Sequence, residues 1–398
     1  MAETLKLQEE LWLQKYGTPM TEAERQAVFE KMVCLQGLYF EDIESITLYS
    51  SKQYWEDISE GLLTVTLDSS QWKSKCTTFE SLKATTEPTE PIESATAPKA
   101  RLNSQGYVVL PGAIAPTHSI FSALKTTARR LTELGWPPAF LFLYDEVWEL
   151  LIAPLFDVYT PLLGLDVWME SDLNCWRLKS PPPTAATRST AIKGDSAPPP
   201  SYIGVNFGNS HRDMTYEACH DVATEAFHSL NCWVPINPSG ATLTNGCMRV
   251  IPIEMDDYFY DSKHPYHMST AKALSFMEDP KQCTVTLPAL PGAVVTWTPS
   301  LVHWGGCCEA GEEDPRMSIA ATFRKSGTKR SVYGEEKENE KEKESNGPPP
   351  IQLKDMGDVC FSRRLSYVAK SIISFAHWYP GLPGLSVERL QKLSIDYM

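Results

Sequence analysis

Short apolar runs separated by polar turns fill the second half of the chain, and this pattern predicts β-strands. Each run is rich in β-branched, aromatic or other apolar residues, and each is short enough to be one strand. The runs are residues 230–236, 247–251, 282–287 and 293–297. Asn, Gly and Pro residues that favour turns stand between them. Several short strands punctuated in this way favour an antiparallel jelly roll of two sheets, in a fold that is mainly β with flanking α-helices.

Apolar residues at helical spacing predict helices on both sides of these strands. The predicted helices are residues 4–16, 21–36, 120–134 and 361–379. In the third helix, Ala128, Leu131 and Leu134 are expected to face the core. The first two could form a separate interaction element, although packing against the outside of the sheets is the favoured interpretation.

Two segments of biased composition suggest how the chain is divided. Residues 84–100 are rich in Thr, Glu, Pro and Ala, and residues 331–350 carry alternating Glu and Lys before a Pro-Pro-Pro run. The predicted organisation is an N-terminal helical extension (1–83), a linker (84–100), a jelly-roll domain (101–330), a charged linker (331–350) and a C-terminal segment whose helix packs on the core (351–398). A Pro-rich insertion at 180–201 precedes the first candidate metal ligand. It is interpreted either as a lid over the site or as a disordered insertion.

Composition restricts the classes of function. The net charge of -14 argues against nucleic-acid binding, which needs clustered Lys and Arg. The 10 cysteines lack C-x-x-C spacing, so reduced thiols are expected instead of a disulfide or zinc framework. The chain has neither a signal-peptide pattern nor an apolar run of membrane-spanning length, and it ends without a Ser-Lys-Leu peroxisomal signal. We therefore expect a cytoplasmic protein that does not act at a membrane.

A His-x-Asp pair and a distant histidine form the main candidate for chemistry. His211 and Asp213 are two residues apart, so on one strand both side chains would point the same way. His303 lies far along the chain and would have to come from another strand. Two histidines and one carboxylate are the ligand set of the facial triad, which holds Fe(II) on one face and leaves positions open.

Around these residues the sequence resembles the phytanoyl-CoA dioxygenase-like family. The resemblance covers about residues 101–330 and a helix near 361–379. The segments that carry it are Leu230-Asn231-Cys232-Trp233-Val234-Pro235-Ile236, residues 241–252 (ATLTNGCMRVIP), residues 103–112 (NSQGYVVLPG), Leu290-Pro291-Gly292-Ala293 before His303, and Pro315-Arg316-Met317-Ser318 after it.

This resemblance implies a double-stranded β-helix that carries an Fe(II)- and 2-oxoglutarate-dependent dioxygenase, with O2 as the second co-substrate. By position, His211, Asp213 and His303 match the iron ligands and thus the catalytic residues. Arg316 matches the residue that binds the distal carboxylate of 2-oxoglutarate. A guanidinium suits a carboxylate, since its donors form a fixed fork.

Three further residues are predicted to contact 2-oxoglutarate. Ser318 lies two residues after Arg316, on the same face of a strand, and would add a hydroxyl. Trp233 neighbours the inferred metal strands and would pack around the co-substrate. Arg177 lies on a strand where related enzymes often place a basic or polar residue.

The predicted reaction is hydroxylation of a small organic substrate, with release of succinate and CO2. Relatives that bind halide replace the metal carboxylate with a small residue, whereas this chain keeps Asp213. Desaturation or cyclisation by the same fold stays open, and so does an inactive binding or regulatory protein with a vestigial metal site. The sequence determines neither the substrate nor the oligomeric state.

Overall fold

A computed structural model describes residues 51–76, 96–115, 117–134, 136–178, 180, 210–278, 283–326, 328 and 348–374. Several predictions lie outside these residues. They concern the helices at 4–16 and 21–36, nearly all of the Pro-rich insertion 180–201, most of the charged linker 331–350, and the C-terminal helix beyond residue 374.

Within the described residues the chain forms strands that pair only in antiparallel fashion. The strands are β1 (Tyr107–Leu110), β2 (Val167–Met169), β3 (Asn174–Arg177), β4 (Ser229–Pro235), β5 (Met248–Val250), β6 (Val285–Leu287), β7 (Val294–Trp297), β8 (His303–Gly305) and β9 (Met317–Lys325). A six-stranded sheet has the order β1-β7-β4-β9-β2, with β3 also paired to β9, and a three-stranded sheet has the order β6-β5-β8. Two antiparallel sheets flanked by helices fit the predicted jelly-roll class.

Helices flank the two sheets. The α-helices are α1 (Lys52–Ile58), α2 (Thr96–Gln105), α3 (His118–Glu133), α4 (Ala153–Leu163), α5 (Tyr216–Cys219), α6 (Thr270–Glu278) and α7 (Phe361–Ser374). Short 3-10 helices span Pro138–Leu143, Ile253–Met255 and Leu353–Asp358, and a π-helical turn spans Val147–Ile152. No helix among these is long and apolar enough to cross a membrane. The cytoplasmic location stays a prediction.

The apolar residues form two main cores, one on each face of the larger sheet. The outer core joins that sheet to the helices and includes Phe140, Phe323 and Val368. The inner core lies between the two sheets and joins Trp233 and Val295 of the larger sheet to residues of the smaller one. This division follows from strand alternation, which sends neighbouring side chains to opposite faces. The inner layer is where the candidate site lies.

The predicted strands are confirmed, with small shifts at their ends. The run at 230–236 forms β4, the run at 293–297 forms β7, and the run at 247–251 forms β5. The run at 282–287 yields only Val285–Leu287, because the chain at Cys283 is helical. In α3, Ala128 and Leu131 are buried as expected. Leu134 is 55% exposed, since it caps the helix end and no longer lies on its buried face.

The N-terminal extension and the linker differ from the sequence prediction. Trp55 and Trp72, both within the predicted extension, are fully buried in the outer core. The Trp72 indole donates to the Met356 carbonyl oxygen over 2.9 Å, which ties the extension to the C-terminal segment. The linker predicted at 84–100 is wrong at its end, because α2 begins at Thr96 and buries Pro98 and Leu102.

The nine cysteines within the described residues are free thiols. Burial raises the pKa of several of these thiols, to about 12 at Cys232 on β4. A buried thiol in apolar surroundings behaves as a small hydrophobic side chain. The buried cysteines among these, such as Cys175 and Cys232, therefore serve packing.

Candidate metal centre

His211 and Asp213 lie on a short irregular segment that touches the smaller sheet. His211 forms a single β-bridge with His303, in which each backbone N–H donates to the other residue's carbonyl oxygen, over 3.1 and 3.0 Å. At Asp213 the chain bends, and its N–H donates to the Pro299 carbonyl oxygen. The prediction that both residues lie on one β-strand is therefore wrong, since only His211 pairs in the strand manner. His303 opens β8, so the second histidine does come from a strand.

The three side chains converge nevertheless. One ligand atom from each of His211, Asp213 and His303 can be chosen so that all three lie within 4.8 Å of one another. The His211 Nε2 atom is 3.3 Å from Asp213 Oδ1, and the His303 Nε2 atom is 3.4 Å from Asp213 Oδ2. Among the described residues, no other group of three His, Cys, Asp or Glu side chains is arranged to hold a metal ion. The arrangement suits a divalent cation with two imidazole ligands and one carboxylate ligand.

Contacts on the side of Nδ1 fix the orientation of the His303 ring. Its Nδ1 atom is 3.0 Å from the Leu301 carbonyl oxygen, which requires the proton on Nδ1 and leaves the Nε2 lone pair towards Asp213. The Trp297 ring lies 4.8 Å from the His303 ring, centroid to centroid. Burial lowers the pKa of His303 to about 4, so the neutral form that binds metal prevails at neutral pH.

Asn231 on β4 holds the carboxylate of Asp213. Its side-chain amide donates to Asp213 Oδ2 over 2.6 Å, and Thr322 on β9 donates to Asn231 Oδ1 over 3.0 Å. Burial alone would raise the pKa of Asp213, but His303, His211 and the Asn231 amide hold it well below the usual range. Sequence reasoning missed Asn231, because one Asn inside an apolar strand forms no motif.

Arg316 lies fully buried at the start of β9, on the inner layer. Its Nη1 atom donates to the Gly246 carbonyl oxygen over 2.7 Å, and the guanidinium lies 5.6 Å from the Trp233 ring centroid. Burial lowers the pKa of Arg316 to about 10, so the side chain stays charged at neutral pH. Trp233 and Asn231 are two residues apart on β4, so one face of this strand reaches from Arg316 to the metal ligands.

Gly246 is required at its position by both conformation and space. Its φ is +105°, and a Cβ atom there would lie 2.7 Å from the Gly306 carbonyl oxygen. Any other residue would push the chain away from Gly306 and displace the carbonyl that Arg316 contacts.

Ser318 lies two residues after Arg316 on the same face, as predicted, and is fully buried. Its hydroxyl has no hydrogen-bond partner among the described atoms. A buried hydroxyl without a partner is costly unless a ligand completes its bonding. The charged guanidinium and this hydroxyl therefore fit the distal carboxylate of 2-oxoglutarate, an anion with several acceptor sites.

The prediction for Arg177 is corrected by the structure. Arg177 pairs with Met317 across β3 and β9, and therefore points to the face opposite Arg316 and Ser318. Its Nη1 atom donates to Thr132 Oγ1 of α3 over 3.2 Å, on the helix-covered side of the sheet. Trp176, which pairs with Ser318, is the residue of β3 that shares the inner face with it.

Other histidines lie near the site without joining the three candidate ligands. His220 is buried and stacks on Tyr216 with ring centroids 4.1 Å apart. Burial lowers the pKa of His220 to about 4. His267 instead contacts the Tyr258 carbonyl oxygen through Nδ1, over 2.6 Å. Both histidines therefore have structural contacts.

Comparison with known proteins finds one family model that is similar to part of the chain. The model of the phytanoyl-CoA dioxygenase (PhyH) family matches residues 177–307, a segment that contains all three candidate ligands. Arg316 and Ser318 lie beyond its end. No curated protein matches the chain.

Solved structures of non-heme enzymes are similar to parts of the fold. The alpha ketoglutarate dependent epimerase SnoN from nogalamycin biosynthesis is 15% identical, with a TM-score of 0.36, and the alignment covers 61% of this chain and 93% of that one. The carbocyclase SnoK from nogalamycin biosynthesis is 16% identical, with a TM-score of 0.37 and coverage of 59% and 87%. The monooxygenase ThoJ in its Ni complex is 14% identical, with a TM-score of 0.36 and coverage of 69% and 99%.

The family match and the clustered His-Asp-His set agree with the family resemblance that the sequence shows. Iron is the metal that this ligand set selects in oxygenases, and 2-oxoglutarate is the co-substrate of the family. Residues 177–307 are therefore similar to the phytanoyl-CoA dioxygenase family, and the clustered ligand set suits the Fe(II)- and 2-oxoglutarate-dependent chemistry of that family.

Proposed function

We propose that this protein hydroxylates a small organic substrate, with conversion of 2-oxoglutarate and O2 to succinate, CO2 and the hydroxylated product. His211, Asp213 and His303 are the proposed metal ligands, and the observation that carries the proposal is the approach of their ligand atoms to within 4.8 Å. The domain we assign to this activity is a double-stranded β-helix over residues 101–330.

Each protein residue has a defined part in the proposed reaction. The iron, with 2-oxoglutarate and O2 bound, supplies the oxidising power for cleavage of a C–H bond. His211, Asp213 and His303 would hold the metal through two imidazole nitrogens and one carboxylate oxygen. Asn231 orients the Asp213 carboxylate through the 2.6 Å hydrogen bond. Such support of a ligand by a neighbouring group is typical of metal centres.

Arg316 and Ser318 bind the distal carboxylate of 2-oxoglutarate in this proposal. Both side chains are fully buried, so water is excluded and an ionic hydrogen bond there is stronger than at the surface. Trp233 covers the guanidinium from the β4 side. The buried charge therefore helps select a dicarboxylate over a monocarboxylate.

The substrate approaches from the side of His211. The His211 side chain is 48% exposed and that of Asp213 is 35% exposed, whereas that of His303 is only 6% exposed. Asp213 remains in the position where halide-binding relatives have a small residue, so hydroxylation is favoured over halogenation. Desaturation and ring closure use the same residues, and product analysis distinguishes them from hydroxylation.

An anaerobic titration tests the proposal. Purified protein is titrated with Fe(II) and 2-oxoglutarate, and the weak visible charge-transfer band is followed in wild type, Arg316→Ala and Ser318→Ala. Truncating one partner of a buried ionic hydrogen bond costs about 2 kcal/mol or more, so we expect Arg316→Ala to bind 2-oxoglutarate at least roughly thirtyfold more weakly. Ser318→Ala should weaken binding less, because it removes a neutral donor.

Arg129→Ala serves as the matched control, since Arg129 is a half-exposed arginine on α3 that pairs with Glu133. It should bind like wild type. A wild-type protein that gives no band and produces no succinate from 2-oxoglutarate would contradict the proposed function. That result would favour the binding-protein interpretation.

A further inference from the structure

Arg212 lies between the two ligands His211 and Asp213, and its side chain is buried in the opposite direction. Only 2% of this side chain is exposed. A charged side chain is rarely buried to this extent unless all of its donors are engaged. Its neighbours should therefore reveal what the residue does.

The guanidinium of Arg212 joins three separate parts of the chain. Its Nη2 atom donates to the carboxylate of Asp256, whose side chain is fully buried. Its Nε atom donates to the His267 carbonyl oxygen over 2.6 Å, and its Nη1 atom donates to the Ser300 carbonyl oxygen over 2.5 Å. Three directed bonds from one planar group fix its position more rigidly than one ionic contact could.

Two of these contacts come from the segment between β5 and β6, residues 251–284. Asp256 follows the short helix Ile253–Met255, and its Oδ1 atom accepts from the Tyr258 N–H over 3.2 Å. The same segment also contacts Ser210, whose hydroxyl donates to the Ala273 carbonyl oxygen in α6 over 2.6 Å. Residues on both sides of His211 are thus fastened to this segment.

The third contact reaches the segment that leads into β8. Ser300 lies three residues before His303, so the bond from Arg212 to the Ser300 carbonyl links the segment with two ligands to the segment with the third. In the described part of the chain, residues 211–213 pair with another strand only at the His211 bridge, and Asp213 donates to the Pro299 carbonyl oxygen. The Arg212 contacts therefore add side-chain support to the spacing between His211, Asp213 and His303 that these backbone bonds begin.

We propose that Arg212, held by Asp256, is a positioning residue of the metal centre. It sets the spacing of the three ligands and makes the segment between β5 and β6 part of the site's framework. This inference rests on the proposed function only in that the three residues bind a divalent metal. Loss of a group that orients a ligand typically weakens metal affinity by about 10- to 100-fold.

The experiment measures metal binding directly, without turnover. Apo protein is titrated with Mn(II), and the free ion is followed by electron paramagnetic resonance, in wild type, Arg212→Lys and Asp256→Asn. Lysine keeps the charge beside Asp256 but cannot reach the two carbonyl oxygens with directed donors. We expect a Kd about 10- to 100-fold higher for Arg212→Lys, and a smaller increase for Asp256→Asn, which keeps an acceptor oxygen.

Two control variants separate positioning from general stability. Arg364→Lys alters another buried arginine that pairs with an aspartate, Asp145, far from the ligands in the outer core. It should lower the thermal midpoint without changing the Mn(II) affinity by more than about twofold. Asp257→Asn alters the exposed neighbour of Asp256 and should change neither quantity.

Each result decides the inference. If Arg212→Lys is folded and binds Mn(II) like wild type, or if Arg364→Lys weakens binding equally, Arg212 has only a structural role. If Arg212→Lys does not fold, Asp256→Asn decides by the same criterion. A wild type that binds Mn(II) but gives no charge-transfer band with Fe(II) and 2-oxoglutarate would contradict the proposed function alone.

Discussion

Two buried arginine–aspartate pairs lie in different regions of this protein. Arg212 and Asp256 lie at the metal centre, and Arg364 and Asp145 lie in the outer core, with at most 2% of any of these side chains exposed. Both arginines also donate to backbone carbonyl oxygens. The two pairs thus share their chemistry, and their surroundings distinguish them.

The outer pair joins regular elements that are distant in sequence. Arg364 lies in α7 and pairs with Asp145, 219 residues away, over 2.5 Å. Its guanidinium lies 3.9 Å from the ring centroid of Trp72, and Asp145 also accepts from Thr66 of the N-terminal extension. This pair therefore closes the N-terminal, central and C-terminal segments on one another.

The inner pair joins irregular loops only 44 residues apart, and two of the residues beside it are proposed metal ligands. A site on loops needs fixed supports, because no strand ladder sets its geometry. The comparison teaches that one chemical arrangement can serve chain closure in one region and ligand placement in another.

The largest expected effect is on the metal side of the comparison. Asp213→Ala should reduce Mn(II) affinity by more than the roughly 100-fold that loss of a supporting residue causes, because a charged ligand is removed. The apo protein should stay folded, since the Asp213 side chain is 35% exposed. Isothermal titration calorimetry and thermal unfolding measure both quantities. Unchanged metal affinity would refute the assignment of this residue.

The next largest effect is on stability, in the outer region. Arg364→Met leaves Asp145 buried without its main cationic partner, which should lower the free energy of unfolding by about 3–5 kcal/mol. Metal affinity should not change. Urea unfolding of the apo protein measures the loss.

The double variant Arg364→Met/Asp145→Leu is the control for this measurement. It removes both charges and should recover part of the stability, because an apolar pair of similar volume often replaces a buried ion pair without loss. A loss below about 1 kcal/mol in the single variant would show that the pair does not close the chain.

The smallest expected effect concerns acid pH. Burial alone would raise the pKa of Asp145, yet Arg364, Thr66 and Lys75 hold it below the usual value. Such a group stabilises the fold above its unfolded pKa of about 3.9, and this contribution is lost as the pH falls through the lower folded pKa. As the pH falls below about 4, the free energy of unfolding of Asp145→Asn should therefore decrease less steeply than that of the wild type.

Urea unfolding at several pH values between about 3 and 6 gives this slope for wild type and variant, both without metal. On unfolding, the variant should take up fewer protons than the wild type, by at most about one. Parallel slopes would mean that Asp145 does not titrate differently in the folded and unfolded states.

The sequence predicted individual strands well and their pairing not at all. Short apolar runs and turn residues located β4, β5 and β7, because each of these strands is a run of mostly buried residues bounded by turn signals. The same pattern does not say which strands are neighbours. The order β1-β7-β4-β9-β2 depends on how the sheets pack.

For the site, motifs predicted candidate ligands that the structure brings together, but they did not predict the faces of strands. The resemblance pointed to Arg316, and strand alternation predicted that Ser318 lies on the same face. The prediction from related enzymes was wrong for Arg177, because pairing with Met317 fixes the face to which its side chain points. Asn231 escaped notice, because its role depends on a hydrogen bond to a residue 18 positions away.

By itself, the sequence predicted the ligand types, the cationic residue for a carboxylate and the antiparallel β class, from residue chemistry, the family resemblance and local periodicity. Only the tertiary structure decided that the extension around Trp55 and Trp72 belongs to the core, and that Arg212 points away from the metal side into Asp256. The physical reason is that burial and hydrogen bonding between distant residues depend on the packing of the whole chain, which local patterns do not encode.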